Sequence, residues 1–116
     1  QQYVRWDNAG SNGEPGVNNK FLAPADGKLL SVSIRSNTVA NSTVIAFHKA
    51  SNGEQNLSTT PIETQTANMS SENTAYQVNF SNAIFTAGQI LGISVNPNNT
   101  PNDVNLSFVW LFDWNA

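Results

Sequence analysis

His48 is the one histidine in the chain, and there is no cysteine. A general base needs a nucleophile or acid beside it, and a metal centre needs several ligands. One imidazole with no thiolate leaves zinc chemistry within a single chain almost without donors. Cysteine nucleophiles, disulfides and iron–sulfur clusters are excluded outright. Three imidazoles would meet only if a threefold axis brought together His48 from three chains. The carboxylates are Asp7, Glu14, Asp26, Glu54, Glu63, Glu72, Asp103 and Asp113. A glycosidase holds two such groups across a cleft, about 5–10 Å apart. Most of these sit in turn contexts instead: Asp26 precedes Gly27, and Asp103 follows Pro101-Asn102. These patterns predict no catalytic residue, no metal and no cofactor, and hence no enzyme.

Other motifs also favour plain structure. Asp7 to Glu14 (DNAGSNGE) resembles a calcium loop, but Ala9 occupies the third position, where a ligand is required. Asn-x-Ser/Thr occurs at Asn41, Asn56, Asn68, Asn79, Asn98 and Asn105. With 18 Asn, 12 Ser and 9 Thr, composition accounts for these matches by chance. Trp6, Trp110 and Trp114 could stack on sugars. Trp110 and Trp114 share the parity of a core face, so packing is the expectation for them, with Trp6 pairing against the last strand and drawing the termini together.

The polar mass is uncharged. Charged residues are 11% of 116, and the net charge is −3. That balance rules out a basic nucleic-acid footprint and a polybasic membrane signal. No apolar run approaches the length of a membrane span. Beginning on Gln1 rather than Met, the chain reads as a mature product or a piece of a longer polypeptide.

The elements that must position these residues are strands. Helical periodicity is absent; apolar residues alternate in short runs between Asn, Gly, Pro and Ser clusters. Runs are expected at 2–6, 20–23, 28–35, 43–49, 61–69 (polar, at a sheet edge), 75–80, 84–85, 89–96 and 104–114. Leu30, Val32 and Ile34 are expected on one face, and Leu91, Ile93 and Val95 inward. Pro24-Ala25-Asp26-Gly27 reads as a tight turn with Gly27 at positive φ. Asn52-Gly53 reads as a hairpin turn, and Thr86-Ala87-Gly88 as another turn. From Val104 to Trp114 every even residue is large and apolar, while Val109 and Leu111 make the other face apolar in its middle. Such a strand is expected to be central in a sandwich or buried against another chain. The pattern predicts an all-β, antiparallel β-sandwich over residues 1–116 as one domain, jelly-roll in preference to immunoglobulin-like, since no Cys–Trp–Cys framework exists.

Phe21 to Leu29 (FLAPADGKL), Thr43 to Lys49 (TVIAFHK), Phe85 to Ile90 (FTAGQI), Ser94 to Pro97 (SVNP) and the apolar closing strand resemble short β-domains in structural proteins of marine tailed phages, including fibre and adhesin ends. The resemblance spans roughly 20 to 112 and leaves Gln1 to Asn19 uncovered. It implies a trimeric jelly roll of the C1q/TNF type on a virion appendage. Its partners would be further copies of itself and other virion proteins at the virion surface. It implies no catalytic residues.

Together these readings predict a non-enzymatic display module whose Asn-rich loops meet a host-surface glycan or protein. The loop residues expected to bind are Asn8, Asn12, Asn18, Asn37, Asn41, Asn52, Asn98, Asn99 and Asn102. The expected subunit contact is Val109 and Leu111 with Val44 and Ala46. Three rivals remain at this level: a monomeric carbohydrate-binding module of a secreted enzyme with an exposed Trp platform, a small hydrolase, and a filament subunit that lends a strand.

Overall fold

A computed structural model describes residues 1–6 and 11–113. Ten strands and no helix form among the described residues: β1 Gln2–Val4, β2 Ser11–Asn12, β3 Phe21–Leu22, β4 Asp26–Ser36, β5 Asn41–Lys49, β6 Glu63–Met69, β7 Ala75–Asn79, β8 Ile84–Phe85, β9 Ile90–Pro97 and β10 Val104–Asp113. They build two antiparallel sheets. The first runs β2-β1-β9-β5-β6, with β3 also on β9; the second runs β10-β4-β7, with β8 also on β4. The sheets stack as a sandwich around Val32, Ile34, Ile45, Phe47, Phe85, Leu91 and Ile93. Alternation puts these side chains inward because successive residues of a strand point to opposite faces.

The inward set on β9 is as the alternation predicts: Leu91, Ile93 and Val95 are buried in the core. The set on β4 is not. Leu29 rather than Leu30 joins Val32 and Ile34 in the core. The β4–β10 register shifts between Val109 and Trp110, so Ser31 faces Val109 while Leu29 faces Trp110. One extra residue on β4 inverts the parity below it, as a bulge does.

Gly27 also departs from expectation. It lies within β4, and positive φ among the described glycines belongs to Gly53 and Gly88. A β-carbon at Gly27 would collide with the Leu111 carbonyl oxygen and lie 3.1 Å from Phe85 Cζ. Close approach of strands, not a turn, explains this glycine. The turns at Gly53 and Gly88 do form, closed by Glu54 N–H to Ser51 O at 2.9 Å and Gln89 N–H to Thr86 O at 3.2 Å. Beyond Gly53 only the single bridge Ala50–Leu57 follows, so the hairpin is vestigial.

β6 is an edge strand, as its polar sequence predicts. β10 is also an edge strand and not a central one. Its even residues pack against the core but remain half-buried, while Val109 and Leu111 are 53% and 50% exposed. Trp110 lies over Phe21, Phe47 and Phe85 at ring separations of 5.2–6.4 Å. Trp6 packs on Phe21 at 5.0 Å and on Phe108 at 5.3 Å, joining the first strand region to the last. Trp114 lies outside the described residues.

Candidate binding cleft

Two poles divide the loops. At one pole the connections 37–40 and 98–103 pack together. Asn37 and Asp103 exchange backbone and side-chain bonds: Asn37 N–H donates to Asp103 O, and Asp103 N–H donates to Asn37 Oδ1, both at 3.1 Å. Asn99 donates from its backbone to Ala40 O and from Nδ2 to Val39 O, each at 3.2 Å. Asn41, half-buried at φ 56, starts β5 at this pole. Asn98 and Asn102 stand exposed there. At the opposite pole Lys20 Nζ donates to Gln55 O and Asn56 Oδ1 at 2.9 and 2.8 Å, tying the segment before β3 to the turn that carries exposed Asn52. Asn18 is exposed, and its carbonyl accepts Trp6 N–H at 2.8 Å. The buried amide is its neighbour: Asn19 accepts from Gly16 N–H and donates to Glu14 O, both at 2.9 Å. Asn8 lies outside the described residues. The backbone of Asn12 pairs with Tyr3 in β2.

The expected binding asparagines are therefore not one surface, and Asn37 and Asn99 spend bonds fastening loops together. Two of them line concavities: Asn18 an open hollow of ≈ 460 Å³ formed by its own loop, Gly13 to Asn18, and Asn102 a cleft built from several strands. A cleft of ≈ 590 Å³ opens between the end of the first sheet and the start of β10. Its apolar floor is Val4, Val95, Val104 and Leu106, and its rim carries Gln1, Gln2, Asn96, Thr100, Asn102 and Asp103. That size suits a small ligand or a short oligomer unit. Among the described residues, the side chains of Thr100 and Asn102 make no hydrogen bond within the chain. The rim offers amide donors and acceptors with a single carboxylate. Gln1 and Gln2 belong to the rim but read as the beginning of a strand, so no local signal marks them. Their place follows from the register Gln2–Val95 between β1 and β9.

The expected subunit contact divides as well. Ile45 and Phe47 point to the core, so Val44 and Ala46 point out of the first sheet. Val109 and Leu111 point out of the second sheet, on the opposite side of the sandwich. Ala46 is 1% exposed and has no surface to offer. It lies beside Ser94 on a face that segment 57–61 folds over. Leu57 covers Gly92 there, and Gln1 Nε2 donates to Thr59 O at 3.4 Å.

His48 sits under the same cover. Its Nδ1 bonds Ser58 O at 2.9 Å and its Nε2 bonds Ser94 Oγ at 2.7 Å. A carbonyl only accepts, so Nδ1 carries the proton and the Ser94 hydroxyl donates to Nε2. Burial pushes the imidazole pKa down, against the Ser58 carbonyl, which raises it. The ring is neutral and 4.9 Å from Tyr3. The pair has the hydrogen bond of a nucleophile and its base, but a carbonyl stands where a triad has a carboxylate. His48 is 0% exposed and Ser94 1%, which closes the pair to substrate. Its visible work is to hold segment 57–61 onto the sheet. Among the described residues no three His, Asp or Glu side chains gather as metal ligands.

No family model, curated protein or solved structure matches this chain.

Proposed function

We propose that the chain is a non-catalytic binding module that receives a neutral, hydroxyl-rich ligand, a surface glycan, in the cleft between β1, β9 and β10. One observation carries this reading: amide and hydroxyl groups rim an aliphatic floor, and two of the rim side chains have no partner within the described chain. Neutral hydrogen-bonding groups match sugar hydroxyls, and the aliphatic floor matches the apolar face of a sugar ring. A rigid sandwich holding irregular loops is a common way to position such a site.

Placement on a phage virion appendage rests on the sequence resemblance alone. A jelly-roll winding is supported by the nesting of pairs: β4 lies beside β10, and inside them β5 lies beside β9. A Trp platform of the kind a carbohydrate-binding module presents has less support, because among the described residues no aromatic side chain lines the cleft.

Nuclear magnetic resonance titration of isotope-labelled protein with neutral oligosaccharides tests the reading. Shifts should concentrate on Gln2, Asn96, Thr100 and Asn102. Replacing Thr100 and Asn102 together by alanine should weaken binding about tenfold or more, the loss of one to two hydrogen bonds. Absence of shifts across a broad glycan panel, or shifts confined to the opposite pole, would overturn it.

A further inference from the structure

We infer that β10 pairs antiparallel with β10 of a second copy of this chain, across a two-fold axis at Val109, joining the two β7-β4-β10 sheets edge to edge. This goes beyond the cleft and does not depend on its ligand.

The edge is long, and the register shift at Val109/Trp110 puts its extra residue on β4 and not on β10. An edge strand turns alternate N–H and C=O groups away from its sheet, and protected edges carry Pro, Lys or short length. β10 is ten residues, VNLSFVWLFD, without Pro, Lys or Arg. Among the described residues no strand pairs with its far side. Val109 and Leu111 are half exposed on its outer face, and Phe108, Trp110 and Phe112 are only half-buried on its inner face.

The occupant follows from self-complementarity. About Val109, Phe108 faces the partner's Trp110, Leu106 faces the partner's Phe112, and Val109 meets the partner's Val109. Core-facing residues thus meet core-facing residues, so both sandwiches keep their faces. A one-residue slip would oppose inward and outward side chains. On the outer face Leu111, Val109 and their two counterparts form one diagonal run, within reach as cross-strand neighbours.

Charge agrees with the same register. Asp113 lies opposite Asp26 at one end of the face, and Arg35 lies opposite Asn105 at the other. Like charges directly opposite are unfavourable. The two-fold axis sets the row Arg35, Asn105, the partner's Asp113, the partner's Asp26. Two strand spacings, about 10 Å, separate Arg35 from the partner's Asp113, a gap its long side chain and the carboxylate close over the short Asn105. The pairing brings each chain's arginine toward the other chain's acidic end, twice.

Light scattering across the micromolar range should give a mass rising to twice that of one chain. Val109→Lys, which opposes two ammonium groups on the axis, should weaken association about tenfold or more. The chain has no cysteine, so single cysteine variants report the register directly. Val109→Cys should form an intermolecular disulfide under mild oxidation, and Leu111→Cys, which faces the partner's Ser107, should not. A persistent monomer, a trimer, unchanged association of Val109→Lys, or equal cross-linking of the two cysteine variants would each overturn the proposal.

Discussion

The two long sides of the sandwich are built on opposite terms. On one side β6 carries Glu63, Thr64, Gln65, Thr66 and Asn68, with Pro61 just ahead of it. Glu63 reaches across to the other sheet, accepting from Ser81 N–H and Asn82 N–H between β7 and β8, and Gln65 Nε2 donates to it at 2.7 Å. That side is polar and clasped. On the other side β1 and β3 do not pair with β10; Phe21 meets Trp110 across the seam, the cleft opens at one pole, and Phe108, Trp110 and Phe112 stay half-buried. The difference teaches where this fold can meet partners. The β6 side is polar and fastened to the second sheet through Glu63, so it has little apolar area to offer, whereas the β10 side keeps apolar area in hand.

The comparison breaks most completely at Gly27. Among the described residues β10 has only β4 as a strand neighbour, and it approaches Gly27 closely enough that any β-carbon meets the Leu111 carbonyl. Gly27→Ala should force the end of β10 away from β4 and destabilise the fold by about 3 kcal/mol, within the range of strain at a special backbone site. Thermal unfolding measures it. A loss below about 1 kcal/mol would mean that β10 can slide without consequence, and the open side would then be no more than a loosely held flap.

The clasped side should respond to acid. Glu63 is drawn both ways: burial raises its pKa, but bonds from Ser81, Gln65 and Asn82 outweigh that and hold it below the ordinary 4.5. A depressed carboxyl gives its stabilisation in full above the unfolded value and loses it as pH falls through the folded one. His48, lowered chiefly by burial, contributes in the same sense from a higher start: its share is whole above about 6.5 and declines below, because the unfolded chain takes up the proton first. Stability should therefore sag in two steps on acidification. Glu63→Ala should lose about 1 kcal/mol near neutral pH, a modest figure because the group is largely solvated. It should also flatten the lower step while leaving the upper one. Urea midpoints against pH for the two proteins separate these outcomes.

Much of the sandwich was legible because alternation is a local signal. Leu91, Ile93 and Val95 needed no partner to be read as inward, and Gly53 and Gly88 declared their turns. Leu30 was misread because the bulge that displaces it is a property of the β4–β10 pair, and neither strand carries it alone. Gly27 was misread for the same reason: turn chemistry and close approach select the same residue. Ala46 looked like surface because the segment that covers it, 57–61, carries polar residues around a single Leu57. The cleft was least legible. Asn96, near the end of β9, and Asn102 lie close in sequence, but Gln1, Gln2 and Val4 arrive from the far end of the chain through pairing with β9.

The smallest effect is expected at Val109. Its side chain is half exposed on the outer face of an edge strand, opposite Ser31, and it contributes nothing to the core cluster. In a single sandwich, Val109→Lys exchanges one solvated side chain for another, so unfolding at concentrations where the chain is monomeric should shift by no more than about 0.5 kcal/mol. The same substitution on the clasped side, at buried Ala67 opposite Thr43, would bury an ammonium group and should unfold the protein. Val109 is thus a position where folding places almost no demand for an apolar residue, and yet valine stands there beside Leu111. If Val109→Lys proves silent for folding and harmful for association, the apolar character of the β10 side belongs to its partners and not to its core. If the substitution weakens the isolated sandwich as much as a core change would, the seam is part of the core after all, and the contrast between the two sides disappears.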